Sequence, residues 1–228
     1  MALILNIDTA LAKASVNLSR DGHSLLTLIN EQTRDHASWL HEAIATLARE
    51  NKISLEDLDA VAISNGPGSY TGLRIGLSAA KGICFSLALP MLQINTLEIM
   101  SMAALSKVHT DQTVLADYLC PLIDARRMEV FFAIYDKQLN LVKEPGAAIL
   151  AAGSFSDWLE NKKILFFGNG SSKFREVQNH RNAIFDIAFD YDATDMGRLA
   201  ENYFTQNQFA DLAYAEPFYI KGFHSPAG

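Results

Sequence analysis

At 228 residues and 49% hydrophobic content, the chain is long enough for one large domain or two ordinary ones around a real core. A formal net charge of −7 opposes self-sufficient nucleic-acid binding, which needs a basic footprint unless a local patch or a basic partner supplies one. The two cysteines, Cys84 and Cys120, are spaced unlike any zinc or redox motif, no apolar run nears the ~20 residues of a membrane span, and Met1 to Asp8 carries no basic leader, so a protein of the reducing cytoplasm is expected.

Leu3 to Ile7 is an apolar strand closed by Asp8-Thr9, Ser15 to Leu18 alternates as a second strand, Arg20-Asp21-Gly22 turns, and Leu25 to Ile29 makes a third. From Asp35 to Asn51 the period becomes helical, with Trp39, Leu40, Ala43, Ile44, Leu47 and Ala48 on one stripe. Ser54 opens a short capped turn. Val61-Ala-Ile63 then reads as a buried strand ended by Asn65-Gly66-Pro67-Gly68, where Gly admits positive φ and Pro fixes its own. Thr71 is a plausible N-cap for a helix to Leu87, which is rich in small residues: Gly72, Gly76, Ala79, Ala80 and Gly82. Each Gly gives up about 1 kcal/mol of helix propensity relative to Ala, so something must compensate, and a second helix crossing at close range is the simplest expectation. Arg74 sits in the first turn, where the macrodipole disfavours a cation; an acidic neighbour or partner, or a head group lying in water, accounts for it. Pro90 to Ile94 adds a strand and Thr96 to Ser106 a helix.

After a polar interval, Lys107 to Gln112, strands begin again: Tyr118 to Ile123, a turn at Asp124-Ala-Arg-Arg127, Glu129 to Tyr135, and a third near Ala148 to Leu150. A helix capped by Ser154 or Ser156, a strand Ile164 to Phe167, Gly168-Asn-Gly-Ser171, a helix, a strand at Ile184 to Asp186 and a helix from Thr194 follow. Glu216 to Lys221 reads as a last strand and Phe223 to Gly228 as a fraying end. Both halves share the order βββαβα without any residue-level repeat. The expected fold is therefore α/β with two duplicated lobes, 1–107 and 108–228, the C-terminal tail packing back on the first.

Asp8-Thr9 and Asp124 stand at matching places in the two halves, where they would hold a hydrated metal-phosphate or serve simply as turn residues. The Gly66-Pro67-Gly68 loop and Gly168-x-Gly170 each open a helix as a phosphate cradle does, but no P-loop Lys-Ser or Gly-x-Gly-x-x-Gly accompanies them, and a structural turn explains them equally. His36 and His41, five apart, lie about 140° apart around a helix and cannot share one metal. His23, His109, His180 and His224 lie in polar, loop-like contexts, and no Gly-x-Ser-x-Gly elbow is present.

Ile4-Leu-Asn-Ile-Asp-Thr-Ala10, the run Ser64-Asn-Gly-Pro-Gly-Ser-Tyr-Thr-Gly-Leu-Arg-Ile-Gly76 with Ala80-Lys-Gly82, Asp124-Ala-Arg-Arg-Met-Glu-Val130 and Pro217-x-Tyr219 together resemble, over essentially the whole chain, the TsaB (YeaZ) family. That family is the accessory subunit of tRNA threonylcarbamoyladenosine (t6A37) synthesis in the M22, glycoprotease-like group. The resemblance implies the actin, Hsp70 and sugar-kinase (ASKHA) fold. It also implies a non-catalytic scaffold for a TsaD-type transferase, with a TsaE-type ATPase as further partner. The chain alone would form a homodimer, and tRNA would be reached only through the complex. No cofactor or metal would be required, ATP or ADP with magnesium entering only at the level of the complex.

In the TsaD-type relative a His-x-x-x-His metal motif falls, on aligning the shared glycines and prolines, at Thr96 and Met100 here, neither of which replaces an imidazole. The resemblance places the interface on the two helices of the first half, with His36, Trp39, Leu40, Ala43, Leu73, Arg74, Gly76, Leu77 and Ala80 at or near it; helical period leaves open that Leu40, Ala43 and Leu77 face their own sheet instead. A small ATPase or kinase using Asp8, Asp124 and the glycine loops is the alternative reading.

Overall fold

The computed structural model describes residues 2–32, 36–106 and 115–221. The chain forms two compact units, Met1–Ala103 with Tyr191–Pro217, and Ala104–Asp190 with Phe218–Gly228. The expected division at 107/108 and the polar interval around it lie outside the described residues. Sequence order alone assigns 191–217 to the second lobe, whereas these residues pack in the first unit.

In the first unit, β1 (Leu3–Asp8), β2 (Ala14–Arg20) and β3 (His23–Asn30) form an antiparallel meander whose tight turn puts Asp21 and Gly22 at positive φ. Helix α1 (His36–Asn51) returns the chain to β4 (Ala60–Ser64), α2 (Tyr70–Leu87) to β5 (Met91–Ile94), and α3 (Thr96–Ser106) follows. The expected α1 start, Asp35, lies outside the described residues. The sheet order is β3-β2-β1-β4-β5, with β1, β4 and β5 parallel. Because β3 also runs with β1, α1 and α2 both run back against the strands and lie side by side in one direction. Their apolar stripes, Leu40, Ile44 and Leu47 on α1 and Leu77, Ala80 and Cys84 on α2, close one core with Leu5, Ile7, Val16 and Ile63. Burial pushes the Cys84 thiol up to about 11, and both cysteines are free and buried.

The opposite face of this sheet carries the polar residues that strand alternation places there, Asn6, Ser15, Asn17 and Ser19, and it is buried all the same. Asn6 Nδ2 donates to Asn17 Oδ1 at 3.0 Å and to Ser19 Oγ at 2.9 Å, and Asn17 Nδ2 donates to Thr27 Oγ1 at 2.8 Å. A 3-10 turn (Ala193–Met196) covers this face, the Ala193 amide donating to Ser15 Oγ at 2.9 Å, and the last helix, Gly197–Thr205, continues from it. The Tyr203 hydroxyl of that helix donates to Glu98 Oε2 of α3 at 2.8 Å. These partners, distant in sequence, are the physical reason that 191–217 joins the first unit.

The second unit repeats the plan. Strands β6 (Tyr118–Asp124), β7 (Glu129–Tyr135), β8 (Leu141–Ile149), β9 (Ile164–Phe167) and β10 (Ala183–Asp186) give the order β10-β9-β6-β7-β8, strand for strand the order of the first sheet. Strand β8 is longer than the Ala148 to Leu150 expected. As an outer strand it is largely exposed and tolerates Pro145 and Gly146, so its sequence does not alternate. The two helices here are short, α4 (Ser156–Leu159) and α5 (Ser171–Arg175), which makes the Gly197–Thr205 helix α6. Phe132, Phe155, Phe166, Phe174 and Phe185 fill the core with edge-on, tilted and, between Phe166 and Phe185, stacked ring contacts of 4.9–5.6 Å. The expected strand at Glu216 to Lys221 is absent from the sheets, and Phe223 to Gly228 lies outside the described residues.

Candidate functional site

The residues expected to cradle phosphate are committed to the fold. Asp8, at the end of β1, is 3% exposed; Ser64 Oγ donates to its Oδ1 at 2.6 Å and the Ala10 amide at 2.9 Å. Burial raises its pKa above the ordinary carboxylate range, although Ser64, Ala10, Tyr191 and the charge of Lys13 work the other way. Thr9 uses its amide on Ser64 Oγ and its hydroxyl on the Gly72 carbonyl, at 3.4 and 2.8 Å. In the glycine loop the Asn65 amide donates to Ile94 O, the Gly66 amide to Thr96 Oγ1 and the Ser69 amide to Ala10 O. Gly66 O in turn accepts from the Thr96 amide at 2.9 Å. Thr96 is thus a loop clamp, fully buried, as is Met100. The bond between Gly66 and Pro67 is cis. Gly66, Pro67 and Gly68 make the turn before α2, and the Asn65, Gly66 and Ser69 amides are spent on protein acceptors. The N-cap of α2 is Ser69, whose Oγ accepts from the Gly72 amide at 3.2 Å, not Thr71, because the helix begins at Tyr70.

The second-unit candidates are equally occupied. Asp124 Oδ1 accepts from Lys173 Nζ at 2.6 Å and from the Arg126 amide at 2.8 Å. Partial burial opposes its ionisation, but these two hydrogen bonds and the Lys173 charge hold it below the usual carboxylate range. The Gly170 amide donates to Leu122 O, and a Cβ at 170 would meet Val130 Cγ1 at 2.8 Å, so this glycine serves close packing of α5 on the sheet. Gly168, at φ 91°, makes the turn. Asp8 lacks the solvent access that a metal-phosphate site requires, whereas Asp124 is exposed, with its Oδ1 taken by Lys173 and the Arg126 amide; no cluster of three His, Cys, Asp or Glu residues able to hold a metal exists among the described residues.

The small residues of α2 divide by what they face. A Cβ at 72 would stand 2.1 Å from Thr9 O, and one at 76 would stand 2.4 Å from Thr9 Oγ1. Those glycines admit the end of β1, not a crossing helix, which corrects that expectation. Leu40, Ala43, Leu73, Gly76, Leu77 and Ala80, expected at a partner interface, are buried within their own unit because the sheet claims that face of each helix. His36 is buried as well, and Trp39 is half-buried against the same core. Of the expected set only Arg74 is exposed, its guanidinium 4.0 Å over the Tyr70 ring.

Gly82 faces the other way. No described residue comes within 4 Å of a Cβ placed there. It lies in a groove between α1 and α2 made of two adjoining hollows of about 560 and 570 Å³, which share His41, Ser78 and Ala79 along their floor. Ala37, Arg74 and Ile75 flank one end, Ile83 the other. Phe85, the turn beyond Gly82, is 82% exposed. These residues escape a reading built on the apolar stripe. The signal that finds them is the second stripe of α2, Thr71, Ile75, Ser78, Gly82 and Phe85, at spacings of three and four, with Ile75 half-buried at the border of the core and Thr71, Ser78, Gly82 and Phe85 exposed. Helices whose facing residues are this small allow another backbone to approach closely.

Comparison with known proteins places this geometry. The sequence profile of the family described as TsaD: tRNA N6-adenosine threonylcarbamoyltransferase matches residues 27–216. The tRNA threonylcarbamoyladenosine biosynthesis protein TsaB of Escherichia coli K12 is 34% identical over 225 residues, covering 96% of this chain and 94% of that protein. Among solved structures, a Pseudomonas aeruginosa protein with similarity to peptidase YeaZ superposes with a TM-score of 0.84 at 24% identity, covering 97% of this chain and all of that one. An inorganic polyphosphate/ATP-glucomannokinase of Arthrobacter shares the two-lobed fold at a TM-score of 0.53 and 13% identity, over 90% of this chain and all of that one.

Proposed function

The chain belongs to the TsaD family of tRNA N6-adenosine threonylcarbamoyltransferases and stands within it beside the TsaB proteins of tRNA threonylcarbamoyladenosine biosynthesis, and from that premise we propose that it is a non-catalytic subunit binding a TsaD-type transferase through the α1/α2 groove. The observation that carries the proposal is Gly82. An exposed glycine in mid-helix gives up about 1 kcal/mol of propensity that no contact among the described residues repays, and the open groove around it is lined by the small residues Ser78, Ala79 and Ser86, over which a partner helix can approach. Phe85 supplies the large apolar contact at its end. A second copy of this chain would fit the same face in the absence of the transferase, giving a homodimer.

Support for a non-catalytic role comes from what the residues at the aligned metal positions do. The Thr96 hydroxyl accepts the Gly66 amide and the Met100 thioether is packed in the core, so neither is a ligand in waiting. Nucleotide with magnesium, a TsaE-type ATPase and tRNA then enter at the level of the assembly, in the cytoplasm. No described helix is long and apolar enough to cross a membrane. Against the kinase or ATPase reading stand Asp8 and the Asn65, Gly66 and Ser69 amides, which are bonded within the fold.

The test is co-purification and size-exclusion of the chain with the TsaD-type transferase of the same organism, with Ser78→Glu and Gly82→Leu as variants. Loss of the complex with an undiminished thermal midpoint supports the reading. A complex that survives both variants moves the interface elsewhere, and threonylcarbamoylation of tRNA by this chain alone refutes the non-catalytic assignment.

A further inference from the structure

Arg126 and Arg127 form the tip of the β6–β7 hairpin, and both adopt the left-handed conformation, φ 70° and 48°. Glycine takes that conformation without penalty, while an arginine is strained in it, and two in succession are doubly so. The fold holds the tip in place despite this. The Glu129 amide donates to Arg126 O at 3.0 Å, the Ala125 amide to Glu129 O at 3.0 Å, and Asp124 Oδ1 accepts the Arg126 amide. Lys173 Nζ reaches under the turn to the Arg127 carbonyl at 2.9 Å and to Asp124. The Asp124 amide is itself held by Asn169 Oδ1 at 2.8 Å.

The same contacts settle the local charge. Asp124 is paired with Lys173, and Glu129 with Lys221. Both carboxylates beside the tip are therefore neutralised by lysines of their own unit. Arg126 and Arg127 are exposed, and neither guanidinium has a hydrogen-bond or ion-pair partner among the described residues. In a chain of net charge −7 this leaves two unpaired guanidinium groups on a rigid, pre-formed projection. Nothing in the packing asks for arginine there: a glycine or asparagine would make the turn more easily.

We infer that the Arg126-Arg127 tip is a phosphate-contact site for the sugar-phosphate backbone of tRNA in the assembled complex. The inference rests on the function proposed above. Paired guanidiniums suit phosphodiester oxygens because the planar fork donates two parallel hydrogen bonds and keeps its charge at any physiological pH. Two such contacts on one tip fix the register of a partner RNA without reading its sequence, and the acidic remainder of the chain keeps free protein from binding RNA at large.

The experiment uses the chain assembled with its transferase partner and an unmodified tRNA transcript, with retention measured across a salt series. Arg126→Gly combined with Arg127→Gly should weaken binding about tenfold and flatten the dependence of log Kd on log salt by about one to two. Its thermal midpoint should equal or exceed that of the original chain, because glycine relieves the turn. Arg126→Lys with Arg127→Lys should retain most of the salt dependence. Unchanged retention and salt slope for the double-glycine variant, in a complex that still forms, overturn the inference alone. Failure of the original chain to form a complex with the transferase overturns the proposed function and this inference with it. Binding of ATP by the free chain, lost in the double-glycine variant, would assign the tip to a nucleotide and also overturn the RNA assignment.

Discussion

Gly76 and Thr9 occupy the same space by a margin of one carbon atom: a Cβ on residue 76 would stand 2.4 Å from Thr9 Oγ1, the hydroxyl that donates to Gly72 O at 2.8 Å. The end of β1 and the first two turns of α2 are therefore one packed unit. Gly76→Ala should destabilise the chain, since overpacking costs about 1–3 kcal/mol and outweighs the ~1 kcal/mol that Ala gains in a helix. Gly72→Ala should cost more, because the obstruction at 2.1 Å is the Thr9 backbone carbonyl, which cannot rotate away. Urea midpoints of the two variants check the order.

Gly82→Ala should do the reverse. With open space around the position, Ala should raise stability by up to about 1 kcal/mol in the free chain. In the proposed complex the added methyl should weaken transferase binding, and Gly82→Leu should abolish it. Calorimetry of the free chain beside titration with the transferase reads the two effects separately; a variant that gains stability and binds as before would show that no partner backbone approaches there.

The Asp8 carboxyl, raised by burial, favours folding in its neutral form. Its contribution is present in full below the ordinary value of 3.8 and is lost as the pH rises through the elevated folded value. Asp8→Asn keeps the acceptor for Ser64 and Ala10 without the charge. The thermal midpoint of the variant minus that of the original chain should therefore climb as the pH is raised above the ordinary value and then level off. A difference that stays flat from pH 4 to 8 would contradict this account.

Asp124 has the opposite sign. Its depressed carboxyl contributes stability above the ordinary value of 3.8, and that contribution fades as the pH falls through the lower folded value. Lys173→Met should remove it and leave the Arg127 and Glu129 carbonyls without this donor, a loss of about 1–3 kcal/mol. Its deficit against the original chain should shrink in acid. Thermal melts at pH 7 and pH 3 give the comparison.

The strand order of both halves was legible in the sequence, because short apolar runs bounded by Asp-Gly, Gly-Pro-Gly and Gly-Asn-Gly leave few alternatives for a buried parallel strand. The exceptions were β8, whose exposed edge position removes the alternation that reveals a strand, and Glu216 to Lys221, which pairs with neither sheet. The glycine signature was legible as a turn before a helix, and the kinship it carries was legible too. Its chemistry was not: whether an amide at Gly66 is free for a phosphate depends on Thr96, thirty positions away, and no local pattern states that pairing.

The chain by itself determined the duplicated α/β plan, the two helices of the first half, and the absence of imidazoles at Thr96 and Met100, because each follows from residue identity and local period. Tertiary structure alone decided which side of those helices is free. Helical periodicity gives the angle of a side chain around the axis but not what stands at that angle, and α2 carries small or apolar residues on both sides. Only the approach of Thr9 shows that Gly72 and Gly76 serve the chain's own sheet, and only the empty space at Gly82 shows a face left for something else.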